Sequence, residues 1–206
     1  MDFRTSKRMY GEIILILIYV TVYVLILFFL IIERLLRKGD DAKTLHKSKY
    51  DKRSTSFLAF AIVTSILLLL VIPIFNHFNV GVLKINTIFN ILGLLIMTLG
   101  VIIRIVAATT LGKFYTRTLR KTDNHIIISK GIYKRIRHPG YLGTILLFIG
   151  ASISVDNLIS LLFITALVLI VYIYRITIEE KMLIDIFGER YRIYIRTTKR
   201  LIPFIY

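Results

Sequence analysis

Two short stretches carry side chains whose types and spacing could do chemistry. The first is Arg137-His138-Pro139-Gly140-Tyr141-Leu142-Gly143, where a basic connection gives way to an apolar run. Proline is favoured at the first position of a helix, so His138-Pro139 marks a helix start. A helix start presents backbone N–H groups without intrahelical partners, and these attract a carboxylate or a phosphate. Gly140 and Gly143 leave the backbone uncovered, so a ligand or a neighbouring helix can come close. The second stretch is Arg175-Ile176-Thr177-Ile178-Glu179-Glu180, at the end of a later apolar run. Arg175 and Glu179 stand four positions apart and share one helix face. Charges at a membrane boundary are costly unless paired or functional. A carboxylate held beside a basic helix start suits a ligand that carries both an ammonium and a carboxylate. Each stretch also has a plainer reading. Arg137 and His138 can be interfacial anchors, and Arg175 with Glu179 can be an intrahelical ion pair beside a solvated acidic cluster.

Other chemistries lack their residues. The 206 positions include no cysteine, which removes disulfides, zinc–thiolate sites, iron–sulfur clusters and thiol nucleophiles. No G-x-G and no G-x-x-x-x-G-K-[ST] occurs, so neither the dinucleotide fingerprint nor the phosphate loop is present. His46, His77, His125 and His138 are too scattered for an H-E-x-x-H site, and no metal is expected. Arg104 stands just beyond 19 apolar residues, either reaching back to the interface or facing a polar cavity.

The elements that must position these residues are membrane helices. The chain is 56% hydrophobic with mean hydropathy +0.75, yet carries a formal charge of +16. A soluble domain of this size cannot hide so much Ile and Leu. The two facts fit together if the apolar residues sit in lipid and the basic residues outside it. Nucleic-acid binding would need basic residues among stacking aromatics on a soluble surface, whereas here they lie in short connections between long apolar runs. Five segments are expected to cross: 13–32, 57–75, 85–103, 139–155 and 157–174. The first three approach the ~20 residues that span ~30 Å of hydrocarbon. The fourth is short, and either starts at Pro139 or forms a tilted hairpin with the fifth. Asp156 or Asn157 can cap the fifth. The tail reads as a separate amphipathic helix from about Ile176, with Leu183, Phe187, Tyr191 and Tyr194 at helical spacing and Gly188 as a break. The fold class is therefore an all-α polytopic membrane bundle of about five helices plus a C-terminal amphipathic helix, in a single domain over 1–206.

Lys and Arg counts set an orientation. The connections 33–56 and 112–140 hold eight each, and 175–206 holds seven. The connection 76–84 holds one and the turn at Asp156 none, while the first 12 residues hold three. The rich connections are expected to be cytoplasmic, with the C-terminus on that side.

The ordered set of motifs resembles the isoprenylcysteine carboxyl methyltransferase family over roughly residues 104–206. The set is His125-Ile126-Ile127-Ile128, Gly131-Ile132-Tyr133, Arg137-His138-Pro139-Gly140-Tyr141-Leu142-Gly143, Glu179-Glu180, Phe187-Gly188-Glu189-Arg190-Tyr191 and Leu201-Ile202-Pro203. The family has Leu-Val where Ile127 and Ile128 stand, and animal members place a Gln where Thr118 stands. The resemblance implies S-adenosylmethionine as methyl donor and a lipophilic acceptor such as a prenylated cysteine carboxylate. It implies that His125 and Ile126–Ile128 border the cofactor and Tyr133 packs on it. His138, Pro139, Gly140 and Tyr141 would form its helix-start pocket, Glu179 would hold its amino group, and Arg175 would orient the acceptor carboxylate. Three alternatives stay open: a sterol-reductase-like nicotinamide enzyme, a phospholipid N-methyltransferase, and a non-enzymatic protein whose basic loops dock anionic lipid.

Overall fold

Hydrocarbon offers backbone N–H and C=O groups no partners, so long apolar runs must satisfy them internally by coiling into helices. The structure, a computed structural model, describes residues 3–36, 51, 53–112, 115 and 127–202. In chain order these form α1 (Phe3–Leu36), α2 (Ser54–His77), α3 (Thr87–Leu111), a 3-10 turn (Gly131–Lys134), α4 (Pro139–Ser154), α5 (Leu158–Phe187) and α6 (Glu189–Thr197). Four helices are long and apolar enough to cross a membrane: α1, α2, α3 and α5. Among the described residues there is no sheet, only isolated bridges between Val82 and Asn157 and between Ile136 and Lys199.

The helix starts follow local chemistry. The Asn86 side chain accepts from the Ile88 N–H at 3.1 Å to open α3. Asn157 accepts from the N–H groups of Ile159 and Ser160 at 3.0 and 3.2 Å to open α5. Pro139 occupies the first turn of α4. Helices run past the apolar segments read from the sequence for one shared reason, as α1 does in starting at Phe3 rather than 13. The separate amphipathic helix expected from Ile176 is instead the continuation of α5, which runs unbroken to Phe187. Likewise α3 passes Arg104 and continues to Leu111. Charged residues end a hydrocarbon-compatible run, but Arg and Glu are good helix formers, so they do not end the helix. Gly188, at φ 56°, is what breaks α5 from α6.

The expected fourth segment, α4, has 16 residues, about 24 Å at the helical rise. It works at that length because it is the central helix, with the faces carrying Ile145, Leu147, Phe148 and Ala151 buried. Its packing on α3 is antiparallel and close. A Cβ placed on Gly143 would stand 2.6 Å from the Gly100 carbonyl oxygen, and one on Gly93 would stand 2.7 Å from that of Gly150. Glycines seven apart on both helices thus form a seam along which the two backbones touch. The outer faces of α1, α2 and α3 expose Leu17, Val24, Phe60, Leu67, Leu95 and Ile102, each more than half accessible. Such faces are compatible with lipid and not with water.

Polar groups gather at the two ends of the bundle. At one end the Asn76 amide donates to Tyr19 and to the Val155 carbonyl, and Asn157 donates to Asn76 and to the Val80 carbonyl. The other end holds the residues flanking the three Lys/Arg-rich connections. They are linked there by pairs between Glu33 and Arg104, Asp51 and Arg175, and Arg137 and Glu180. The described residues that flank the charge-rich connections therefore share one end.

Gly143→Ala is expected to cost about 1–3 kcal/mol, since overpacking forces two backbones apart. Gly11→Ala, where an added Cβ meets nothing within 4 Å, is expected to be near neutral. Thermal unfolding of the two variants in detergent measures the difference.

Candidate functional site

The start of α4 is fixed by the tail of the chain. The Lys199 N–H donates to the Arg135 carbonyl at 3.0 Å, the Arg137 N–H to the Lys199 carbonyl at 2.8 Å, and the His138 N–H to the Arg200 carbonyl at 3.0 Å. This short parallel pairing lays residues 198–200 against the approach to Pro139. Glu180, from α5, clasps both strands. Its carboxylate accepts from Arg137 Nε at 2.8 Å and from Arg200 Nε at 2.9 Å, and lies 3.3 Å from His138 Nε2. Arg137 also donates to the carbonyls of Ile195 and Thr198. Arg137 and His138 are therefore buried structural groups, not interfacial anchors. Their long reach is spent on a carboxylate inside the protein.

Glu179, the other member of the pair, faces a different set. The Tyr141 hydroxyl donates to its Oε2 at 2.5 Å, and His138 Nδ1 lies 3.7 Å away. Its side chain keeps 23% of its surface accessible, against 7% for Glu180. The Tyr141 ring stacks on that of His138, centroids 5.5 Å apart and planes within 1°. The same Tyr141 hydroxyl accepts from Arg175 Nε at 3.0 Å. Arg175 and Glu179 thus share a face as expected, and Tyr141 joins them.

Arg175 is 2% exposed. Its Nη1 donates to the hydroxyls of Ser54 and Thr55, both at 3.0 Å, and sits 3.5 Å from Asp51. Arg104 takes neither course offered by the sequence. Its guanidinium grips Glu33 of α1, with Nε on Oε1 at 2.5 Å and Nη2 on Oε2 at 3.2 Å. The Tyr115 hydroxyl donates to the same carboxylate, and the Tyr115 ring lies 5.1 Å from the guanidinium carbon. A charge this deep is tolerable only with such a partner. Glu33, Asp51, Ser54 and Thr55 were not singled out from sequence. The available signals were an acidic residue directly after the first apolar run, Glu33, and one shortly before the second, Asp51.

The remaining expected residues lie around this end. Tyr133 is buried, and its carbonyl accepts from the Tyr194 hydroxyl at 2.6 Å. Burial pushes the Tyr194 phenol up to about 12, so it stays a donor. Pro139 and Gly140 are buried, and a Cβ on Gly140 would stand 3.0 Å from Arg104 Nη1. Ile127 and Ile128 are half-buried just before the 3-10 turn. His125 and Ile126 lie outside the described residues, as does Pro203. The arrangement unites Tyr133, His138–Tyr141, Arg175 and Glu179 at one end of the bundle.

The chain is similar to known proteins. The model of the isoprenylcysteine carboxyl methyltransferase family matches residues 91–185. A probable protein-S-isoprenylcysteine O-methyltransferase of Oryza sativa subsp. indica is 32% identical over 115 residues, which cover 55% of this chain and 60% of that protein. A protein-S-isoprenylcysteine O-methyltransferase of Tribolium castaneum is 32% identical over 132 residues, 63% of this chain and 47% of that one. A solved structure of the eukaryotic intramembrane Ras methyltransferase superposes with a TM-score of 0.61 at 29% identity, covering 72% of this chain and 52% of that one. Over residues 91–185 the chain is similar to the isoprenylcysteine carboxyl methyltransferase family. It is a multi-pass membrane protein, and it spans about half to three fifths of the length of these relatives. The segment matched by the family model holds Arg104, Tyr133, His138–Tyr141, Arg175 and Glu179, while α1, α2 and α6 fall outside it.

The two adjacent glutamates should behave differently. Glu180→Ala removes the carboxylate that Arg137 and Arg200 share and is expected to cost about 3–5 kcal/mol of stability, the usual toll for breaking a buried pair. Glu179→Ala should cost under half of that. Unfolding of both variants in the same detergent decides it, and equal losses would contradict the assignment.

Proposed function

We propose that this protein transfers a methyl group from S-adenosylmethionine to the carboxylate of a lipophilic, prenylcysteine-like acceptor at the membrane. The observation that carries this reading is the Tyr141 hydroxyl, which bridges Arg175 Nε and Glu179 Oε2 beside the start of α4. A cationic and an anionic side chain are thereby held a single hydroxyl apart. The names of the relatives supply the acceptor class.

The residues present fit the donor. A partly accessible carboxylate suits an ammonium, and the N-terminus of α4 suits a carboxylate. Glu179 is the better partner of the glutamate pair, because Glu180 is already occupied by Arg137, Arg200 and His138. Glu179 would hold the donor's amino group. The start of α4 from His138 to Tyr141 would lie beside its carboxylate, with the His138 N–H already given to Arg200 and the Tyr141 N–H to His138, and Tyr133, Ile127 and Ile128 with His125 and Ile126 would border the rest. When bound, the sulfonium supplies an electrophilic methyl carbon to an acceptor oxygen that is already anionic at neutral pH. In such a transfer one carbon–oxygen bond would form as one carbon–sulfur bond broke, with no proton for the protein to move. The protein therefore needs no general base. Its task is alignment, by Arg175 on the acceptor carboxylate, and exclusion of water by the surrounding helices. The Lys/Arg-rich end would face the cytoplasm, in keeping with the positive-inside rule.

Calorimetric titration with S-adenosylhomocysteine, the demethylated product, tests the donor half. Glu179→Ala is expected to weaken binding at least about tenfold, the scale of a lost charged hydrogen bond. Arg175→Ala should leave that affinity within about threefold yet lower turnover of a prenylated cysteine probe about a hundredfold. Incubation of membranes with methyl-labelled donor should give base-labile esters. Label in stable N-methyl lipid would favour an amine acceptor, and no label would count against the enzyme.

A further inference from the structure

The guanidinium of Arg175 is held from outside the family-matched segment. The turn before α2 is built around Asp51. Its carbonyl accepts from the Ser54 N–H at 2.7 Å, and its carboxylate accepts from the Thr55 N–H at 3.3 Å. Both side-chain hydroxyls donate to Asp51 Oδ1, Ser54 at 3.0 Å and Thr55 at 2.6 Å. A hydroxyl has one proton and two lone pairs. With each proton committed to Asp51, both hydroxyls must turn lone pairs toward Arg175 Nη1, which donates to each at 3.0 Å. All three residues are buried, at 3%, 0% and 7% exposure.

A simple cap would not need this. Asp51 itself accepts from the Thr55 N–H, and the two hydroxyls brace its other carboxylate oxygen without bonding a helix N–H themselves. Their geometry makes sense as a cradle for a cation arriving from α5, 120 positions later in the chain. The cradle fixes the Nη1 edge of the guanidinium while the Tyr141 hydroxyl fixes Nε. An arginine side chain has considerable rotamer freedom, and locking both edges removes it.

We propose that Asp51, Ser54 and Thr55 form a positioning clamp for Arg175 in the transfer step, so that turnover depends on the start of α2 as well as on the family-matched helices. The proposal rests on the acceptor-orienting role of Arg175 given above. The three clamp residues act through Arg175 and contact no reacting atom.

The test uses the full chain in lipid nanodiscs, with an N-acetylated S-prenyl cysteine as acceptor and S-adenosylhomocysteine for donor affinity. Ser54→Ala/Thr55→Ala is expected to lower kcat about tenfold, the scale of lost hydrogen bonds to a charged group, with product affinity within about twofold. The conservative exchange Ser54→Thr/Thr55→Ser keeps both hydroxyls and should restore most of kcat. In a cycle with Arg175→Lys, removing the hydroxyls should cost little more, because the guanidinium they orient is already gone. Asp51→Asn is a second probe, expected to fall between the wild type and the hydroxyl-free variant.

Unchanged kcat without the hydroxyls overturns the clamp. So does a parallel fall of kcat, product affinity and melting temperature, which marks a merely structural cap. So does full additivity with Arg175→Lys. If Arg175→Lys itself leaves kcat unchanged, or the wild type fails to methylate the probe, the reading of Arg175 falls and takes the clamp with it.

Discussion

A guanidinium cannot be buried at the end of a lipid-embedded bundle unless acceptors come to meet it. The cost of an unpaired charge there is several kcal/mol, and no single helix can supply every acceptor. Arg175 therefore organises its surroundings. It draws a hydroxyl from α4 (Tyr141), two hydroxyls from α2 (Ser54 and Thr55) and a carboxylate from the turn before α2 (Asp51). Through Tyr141 it is joined to Glu179 one turn further along its own helix. Three elements are thus tied to one side chain, and the apolar packing elsewhere need only hold them near enough for the ties to form.

Near enough is the work of the glycine seam. Tyr141 can reach Arg175 only if α4 lies deep between its neighbours, and α4 lies deep because Gly93, Gly100, Gly143 and Gly150 let it touch α3 along its length. Small-residue contact of this kind drives helix association in lipid, where no hydrophobic force acts between helices. The C-terminal segment then closes the arrangement from below. Glu180 binds Arg137 and Arg200 together, so the start of α4 has a rigid neighbour and the backbone at His138 is paired. The two adjacent carboxylates consequently divide their duties by the faces they occupy, one sealed in the scaffold and one partly accessible.

Much of this was legible in the residues. The four long crossings, the Pro139 start, the Asn157 cap and the break at Gly188 follow from apolar run length and from proline, asparagine and glycine chemistry. So does the common end of the described residues that flank the three basic connections. The extended helices were not legible, because the hydropathy pattern stops where hydrocarbon stops, while helix propensity does not. Nor were the partners of Arg104 and Arg175, since Glu33 and Asp51 lie 71 and 124 positions away and only the folded bundle makes them neighbours. The plain reading of Arg137 and His138 as anchors failed for the same reason. A basic residue beside an apolar run looks identical whether its partner is water or a glutamate 43 positions on.

The pairing pattern also bears on the charge that this end of the bundle can accept. Arg104 faces Glu33, Arg175 faces Asp51, and Arg137 with Arg200 faces Glu180. Within those groups the cations are largely compensated from inside the protein. Glu179 stands apart, its negative charge met by a phenol hydroxyl and the edge of His138 rather than by a salt-bridged arginine. A donor with a sulfonium, an ammonium and a carboxylate carries one net positive charge, which is what such a partly accessible carboxylate would balance. On the proposed function, transfer of the methyl group then discharges both partners at once. The sulfonium becomes a neutral thioether and the acceptor carboxylate a neutral ester. The ester, with no negative charge left for Arg175, would then be free to return to the lipid.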